Sequence, residues 1–288
     1  MNNFVIFTDS ACDIKPSLLK EWGVEYINMT FRFDGEDKEY SNDDMDITDF
    51  YNKMRGGSVA KTAAINPDSF LVAFEEMLKQ GTDILYLAFS SGLSTTCNSA
   101  RIAAEELLEK YPQRKIVIVD TLAASAGQGL AVYLAVKKKN EGADINQVAE
   151  YINNIALSVS HWFTVDDLVY LKRGGRVSPT VALIGKALGI KPILHVDNDG
   201  KLISMTKVRG RKAALAALAD KYVELADKAA NGPIFISHGD CLSEAQEVAA
   251  LIKAKTGAEV ELITDIGTVI GAHSGPGTIA LFFVGTKR

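Results

Sequence analysis

Short apolar runs alternate with amphipathic segments along the first half of the chain. Apolar runs of this length that end in polar or turn residues are typical of buried strands, and they predict strands over 4–7, 24–33, 83–89 and 115–119. The segments between them predict helices over 16–22, 46–54, 67–80, 98–111 and 122–140. Such alternation predicts a parallel sheet with helices on both faces.

The second half of the chain has a different pattern. It predicts helices over 144–158, 180–189, 209–230 and 243–255, and strands over 234–237, 259–264 and 281–284. Asn198-Asp199-Gly200 is a strong hairpin signal between strands 191–197 and 201–208. Because 288 residues exceed one comfortable core, we predict an α/β protein with an N-terminal domain over 1–160 and a second α/β domain over 161–288, with segments crossing between them.

Composition narrows the class of protein. A hydrophobic content of 47% with 23% charged residues is ordinary for a soluble globular chain. The net charge of −5 argues against a surface for nucleic acid or anionic lipid. The apolar stretch 116–136 is interrupted by Asp120 and by two glycines, so it predicts a strand and a buried helix, and no integral membrane segment.

The cysteines and histidines indicate no metal site. Cys12, Cys97 and Cys241 are odd in number and far apart, and with no signal peptide at the start they favour a reducing, cytoplasmic location. The four histidines are scattered without ligand spacing. The chain also has no Walker A loop and no GxGxxG motif after a first strand, so we expect no metal and no cofactor.

The segment Phe89–Ala100 (FSSGLSTTCNSA) is the most informative part of the chain. It joins a predicted buried strand to a predicted helix and is rich in hydroxyl groups. Helix-start amides have no internal partner and carry a partial positive charge, so a carboxylate or phosphate is expected near Ser91–Thr95. The alternative is that Ser94 or Thr95 only caps the helix.

Three polar clusters follow predicted strands of the same sheet. They are Thr8-Asp9-Ser10, Ser90-Ser91 and Asp120-Thr121. Ligands of open α/β sheets bind beyond the carboxyl ends of the strands. We therefore expect the three clusters to lie along one edge of the sheet and to mark a binding site there.

Other candidates are a histidine among glycines and two cationic segments. His273 lies in Gly271–Gly277, where it either hydrogen-bonds a ligand carboxylate or is a turn histidine bonded to backbone. Lys172-Arg-Gly-Gly-Arg176 and the cations from Lys207 to Lys212 are suited to phosphate recognition or an acidic partner, or are solvated loops. Cations at a helix start oppose the dipole, which makes the second segment unusual.

Several motifs, taken in order, resemble one family over nearly the whole chain. They are Phe7-Thr-Asp-Ser10 with Asp13; Lys61-Thr62; Ser90-Ser-Gly-Leu-Ser94 with Asn98-Ser-Ala100; Asp167-Leu-Val-Tyr-Leu-Lys-Arg-Gly-Gly-Arg176; Gly189-Ile-Lys-Pro192; Arg209-Gly210; and Ile266–Gly277. On these residues the chain is identified as a member of the DegV family, the fatty-acid-binding subunits of bacterial fatty acid kinases.

The resemblance implies a two-domain α/β fold that holds one long-chain fatty acid, such as palmitate, between the domains. It implies that Thr62, Ser94 and His273 bind the acyl carboxylate, and that Arg173 and Arg209 serve the head-group region and contact the kinase. A separate ATP-dependent catalytic subunit would phosphorylate the carboxylate to an acyl phosphate for phospholipid metabolism. This chain would then have no catalytic residue of its own, and its bound fatty acid would be a ligand.

The chain departs from the family pattern beside this expected site. The family commonly has Thr-Ser-Gln-Pro where this chain has Thr62-Ala-Ala-Ile65, and it usually continues Ser-Gly-Leu-Ser with Gly-Thr-Tyr where this chain has Thr95-Thr-Cys97. Two alternatives stay open: a serine-dependent acyl hydrolase or transferase using Ser94 or Ser274 with His273, and a ligand-dependent regulatory protein. The first lacks an evident acid to orient His273 as a triad requires.

Overall fold

The computed structural model describes residues 4–177, 189–228 and 232–288. Its strands are β1 Phe4–Asp9, β2 Val24–Ile27, β3 Thr30–Phe33, β4 Tyr40–Ser41, β5 Ala60–Ala63, β6 Asp83–Ala88, β7 Ile116–Asp120, β8 Val159–Thr164, β9 Ile190–Val196, β10 Leu202–Arg209, β11 Phe235–His238, β12 Leu262–Asp265 and β13 Ile279–Val284. Its α-helices are α1 Pro16–Glu21, α2 Ile47–Arg55, α3 Pro67–Lys79, α4 Thr96–Lys110, α5 Ala126–Asn140, α6 Ile145–Ile155, α7 Val169–Arg173, α8 Arg211–Leu225, α9 Leu242–Thr256 and α10 Thr268–Ser274.

The first half of the chain forms the predicted parallel sheet, with strand order β2-β1-β6-β7. Successive strand residues point to opposite faces, so each strand supplies two cores. Ile6, Leu85 and Val119 belong to a cluster that includes residues of α5 and α6. Phe7 and Tyr86 belong to a second cluster with the buried faces of α3 and α4. This confirms the expected arrangement of helices on both faces.

A small antiparallel sheet, with order β4-β3-β5, lies beside the parallel one. The sequence predicts a single strand over 24–33, but the chain leaves the parallel sheet after Ile27, and the amide of Met29 donates to Oγ of Ser10. Residues from Thr30 onward then pair in the small sheet. Strand β5 was not predicted, because Ala60-Lys-Thr-Ala63 has little apolar patterning.

The second half forms a six-stranded sheet with order β10-β9-β8-β13-β11-β12. The predicted hairpin is present as the antiparallel pair β9 and β10. Buried residues of α8 and α9 pack with one face of this sheet. The other face contributes Phe163, Leu194 and Phe282 to the same cluster as α5, so α5 lies between the two large sheets.

Several predictions fall partly or wholly outside the described residues. The helix predicted over 180–189 is one, because only its last residue is described. The domain division at 160/161 stays a prediction.

The three cysteines are free thiols. Over 4–177, 189–228 and 232–288, no helix combines the length and apolar character that a membrane crossing requires.

Candidate functional site

A cavity of about 390 Å³ lies between the carboxyl end of the parallel sheet and the inner face of the six-stranded sheet. Apolar side chains dominate one part of its lining, among them Leu93, Phe163, Val196, Leu202, Ile270, Ala280 and Phe282. Hydroxyl and imidazole groups form the rest, contributed by Thr62, Ser91, Ser94, Thr95, Ser125, His161, His273, Ser274 and Thr278, together with Arg176. The volume is within the range of small-molecule sites, about 300–1,000 Å³.

The structure brings Thr62 and His273 into direct contact. Oγ1 of Thr62 and Nε2 of His273 are 2.8 Å apart, although the two residues are 211 positions apart in the chain. Thr62 comes from β5, whose register pairs it with Phe31. His273 was expected in a glycine-rich turn, but it lies in the last turn of α10, which packs against β5.

The surroundings of His273 determine its charge and its tautomer. Burial, followed by the positive charge of Arg176, lowers the pKa of His273 to about 4, so the ring is neutral near pH 7. Its Nδ1 is buried with no hydrogen-bond partner among the described residues. An unpaired buried N–H is costly, so we assign the ring proton to Nε2, which donates to Thr62. The hydroxyl hydrogen of Thr62 is then free for a ligand.

Gly174 makes room for this imidazole. A Cβ built on Gly174 would lie 2.0 Å from Nδ1 of His273, which is far inside van der Waals contact. The neighbouring Gly175 has a φ of +67° and no atom within 4 Å of a built Cβ. The two glycines of the Lys-Arg-Gly-Gly-Arg segment therefore serve different purposes. Gly174 admits His273, and Gly175 allows a left-handed turn.

Ser94 lies on the same cavity, at the start of α4. Its Oγ accepts from the amide of Thr96 at 3.2 Å and lies 2.9 Å from Oγ1 of Thr96. The capping alternative is thus partly correct for Ser94, whereas Thr95 makes no side-chain cap. If the Thr96 hydroxyl donates to Ser94, the hydrogen of Ser94 is left for a ligand.

The three polar strand ends meet at one edge of the sheet, as expected. The carboxylate of Asp9 accepts from the amide of Phe89 at 3.0 Å, and that of Asp120 accepts from the amide of Ser91 at 3.2 Å. Asp9 is fully buried and also accepts from Tyr86. These two carboxylates hold the backbone at Phe89 and Ser91 in place through their amides. Of the residues in the three clusters, Ser91 is the one that lines the cavity.

The loop between Phe89 and Ser94 also requires its glycine. A Cβ on Gly92 would lie 2.4 Å from the carbonyl oxygen of Asp199 at the tip of the β9–β10 hairpin. Oγ of Ser90 donates to the carbonyl oxygen of Gly200 at 2.9 Å. The hairpin therefore closes against the hydroxyl-rich loop.

Within the described part of the chain, the cation that lines the cavity is Arg176, the last residue of the Lys172–Arg176 segment. Its Nε donates to the carbonyl oxygen of Leu93 at 3.1 Å, and its guanidinium also bonds the carbonyl of Gly174. Arg173 is exposed and lines a cleft outside the cavity, which shares Thr62, Arg176 and His273 with it. Arg209 is exposed at the end of β10, away from both. The roles of Arg173 and Arg209 stay predictions.

The buried carboxyl group of Asp13 links the two halves of the chain beside the cavity. Ser125 donates to Asp13 at 2.5 Å and contacts Oγ of Ser237 in β11, and the amide of Gly267 donates to Asp13 at 2.9 Å. Desolvation, partly offset by these hydrogen bonds, raises the pKa of Asp13 to about 8. Ser125 has a φ of +54°, an uncommon conformation for a residue other than glycine.

Among the residues that the structure describes, no group of three or more His, Cys, Asp or Glu side chains is arranged to hold a metal ion.

The polar and apolar lining of the cavity suits a ligand with one anionic oxygen group and an alkyl body. The hydroxyls of Thr62 and Ser94 lie at one part of the cavity, and hydrocarbon surface forms another. His273 contacts no carboxylate through Nδ1 in the described part of the chain, so a Ser-His-Asp triad is not assembled there.

Comparison with known proteins finds a family model and relatives that match nearly the whole chain. Residues 3–286 match the model of the DegV family, which is described as a family of uncharacterised proteins. A DegV domain-containing protein of Clostridium perfringens is 46% identical over 291 residues, covering 100% of this chain and 99% of the relative.

Solved structures share the fold over all or nearly all of their length. A fatty-acid-binding DegV family protein of Streptococcus agalactiae has a TM-score of 0.85 at 27% identity, with 100% of each chain covered. A DegV family protein of Eubacterium eligens, loaded with heptadecanoic acid, has a TM-score of 0.86 at 25% identity, covering 98% of this chain and 99% of that one.

Proposed function

Because this chain belongs to the DegV family, we propose that it binds one long-chain fatty acid in the cavity between its two large sheets. The observation that carries the proposal is the cavity itself, which joins alkyl-lined space to the hydroxyls of Thr62 and Ser94. Fatty acids bound to relatives of the same fold, such as heptadecanoic acid in the Eubacterium eligens protein, support it.

The acyl carboxylate is held by Thr62, Ser94 and His273. Thr62 and Ser94 donate their hydroxyl hydrogens, and neutral His273 orients Thr62 through their 2.8 Å contact. Hydroxyl donors hold a carboxylate less tightly than a paired arginine does, which leaves the group reactive. The partial positive charge at the start of α4 adds to the attraction.

Burial of the alkyl chain supplies the affinity. Removing a sixteen-carbon chain such as that of palmitate from water contributes on the order of 12 kcal/mol, at about 0.8 kcal/mol per methylene. Immobilising the ligand takes back several kcal/mol of this. The remaining free energy of binding is sufficient for a ligand that stays bound through purification.

The test of binding is to identify lipid in protein purified from cells. Mass spectrometry under denaturing conditions is expected to release one fatty acid per chain. Delipidated protein should rebind palmitate or stearate at one site. Absence of fatty acid from every preparation, together with failure to rebind, would refute the proposal.

We further propose that the chain presents the carboxylate to a separate ATP-dependent fatty acid kinase subunit in the cytoplasm, for phospholipid synthesis. The acyl phosphate then forms on a chain that has no nucleotide loop of its own. The exposed guanidiniums of Arg173 and Arg209 support a docking role, because neither has an ion-pair partner among residues 4–177, 189–228 and 232–288.

Arg209→Ala tests this partner role separately from binding. It is expected to keep its full lipid content while acyl phosphate formation with the kinase subunit and ATP falls at least about tenfold, the effect of losing one charged contact of about 1.4 kcal/mol. Lys20→Ala, which removes an exposed cation on α1 outside both cationic segments, is the control. Acyl phosphate formation by this chain and ATP alone, or an unchanged rate for Arg209→Ala, would contradict the assignment.

A further inference from the structure

Ser274 is a buried hydroxyl that the proposed binding of the carboxylate does not yet use. It is 6% exposed and lines the same cavity as Thr62 and Ser94. Its Oγ has no hydrogen-bond partner among the described residues. A hydroxyl left unpaired in a protein interior costs about 1–3 kcal/mol, so its retention needs an explanation.

The local structure offers Ser274 an ordinary way to satisfy this hydroxyl. A serine in a helix commonly donates to the carbonyl oxygen four residues earlier, and Ser274 ends helix α10. Ser274 makes no such bond. Ser274 is also one of the residues that line the cavity.

The turn that follows fixes Ser274 in place. Oγ1 of Thr278 donates to the carbonyl oxygens of Ser274 and Gly275, each at 2.9 Å. Gly275 has a φ of +80°, and a Cβ there would lie 2.2 Å from the ring of Tyr170. Arg211 donates to the carbonyl of Gly277 at 2.5 Å. A side chain on such a braced turn loses little further freedom when a ligand binds.

We infer that Ser274 is a fourth contact to the ligand head group, and that its hydroxyl donates to a carboxylate oxygen. Ser274 directly follows His273, so its Cα lies about 3.8 Å from that of the histidine that orients Thr62. A carboxylate has two oxygens and about four acceptor positions, which Thr62 and Ser94 leave half filled. The inference rests on the proposed binding of a fatty acid, and it predicts selectivity for a free acid over a neutral lipid head.

The test compares wild type, Ser274→Ala and Ser160→Ala, all delipidated. Ser160 is also buried, but its Oγ donates to the carbonyl oxygen of Lys287 at 3.1 Å and it does not line the cavity. Binding of stearate and of 1-octadecanol is measured by displacement of a fluorescent fatty acid. Unfolding temperature is measured on the same ligand-free samples.

Opposite signatures are expected for the two variants. Ser274→Ala should raise the Kd for stearate about 10- to 100-fold, the loss of one hydrogen bond to a charged group. Its Kd for 1-octadecanol should change much less. Its ligand-free unfolding temperature should equal or exceed that of wild type, because an unpaired hydroxyl has been removed. Ser160→Ala should unfold at a lower temperature and keep the wild-type Kd.

The outcomes separate this inference from the proposed function. If wild type binds stearate and Ser274→Ala binds it within twofold, or loses stearate and octadecanol equally, the contact with the carboxylate is refuted while fatty acid binding stands. If Ser274→Ala is destabilised without ligand, its hydroxyl is structural and the inference also fails. If wild type binds no stearate, both fail together.

Discussion

Replacing Gly174 with alanine should impair ligand binding although the residue itself offers no functional group. The backbone at Gly174 is helical, with φ −71° and ψ −10°, so alanine is allowed there. In such a conformation Gly→Ala alone stabilises a protein by about 0.4–1 kcal/mol. The new methyl group would, however, lie 2.0 Å from Nδ1 of His273, and the ring has to move.

The size of the effect follows from what the ring loses. Overpacking a buried site costs about 1–3 kcal/mol, which exceeds the backbone gain, so the variant should be destabilised by about 1–2 kcal/mol. Displacement also breaks the contact of His273 with Thr62, so one charge-assisted bond to the carboxylate is lost or misdirected. That bond is worth about 1.5–3 kcal/mol, or about 10- to 100-fold in Kd.

Gly175→Ala is the matched control, one residue along the chain. Its left-handed φ of +67° makes alanine strained by about 1–2 kcal/mol, but a Cβ there meets no atom within 4 Å. Denaturant unfolding and fatty acid titration on delipidated proteins check both variants. The two should lose similar stability, and only Gly174→Ala should lose affinity. Wild-type affinity in Gly174→Ala, or an equal loss in both, would refute the role assigned to Gly174.

Two further predictions concern the polar groups of the site. Thr62→Ala combined with Ser94→Ala should weaken stearate binding by about 100-fold or more in a displacement titration. The control is Thr48→Ala, which removes an exposed hydroxyl outside the cavity and should not change the Kd. An unchanged Kd in the double variant would show that neither hydroxyl binds the ligand. Asp13 has a folded-state pKa of about 8, above its usual 3.8, so the folded state holds an extra proton between these values and its stability should fall as pH rises through this range. Asp13→Asn should flatten that dependence in denaturant unfolding at several pH values, and a variant with the wild-type slope would show that another group is responsible.

Much of the fold follows from local pattern. The apolar runs from Phe4 and Asp83 are buried on both faces, and Asn66-Pro67 and Gly81 mark the ends of α3. Prediction from the sequence is wrong or incomplete where a segment is shaped by contacts with residues that are distant along the chain. The chain breaks the predicted strand 24–33 because Met29 bonds to Ser10, and β5 forms only because β3 offers it an edge. Neither contact leaves a signal in the local sequence.

The site was predictable in composition but only partly in geometry. Thr62, Ser94 and His273 line one cavity, and their binding of a carboxylate stays a prediction. Among the described residues, Arg176 lines the cavity and Arg173 does not, and the two lie on either side of Gly174-Gly175. Motif spacing cannot show which of two arginines around such a turn points inward. The unpaired hydroxyl of Ser274 is likewise visible only once its neighbours are in place.

The edge position of β5 has a consequence for how this protein tolerates evolutionary change. Side chains alternate along the strand, with Thr62 half-buried and Lys61 and Ala63 exposed. A deletion or insertion of one residue inside β5 would turn Thr62 outward and present Lys61 or Ala63 to His273 instead. Substitutions at the exposed positions of the strand should therefore be tolerated, whereas insertions and deletions inside it should be selected against in any lineage that still uses the cavity.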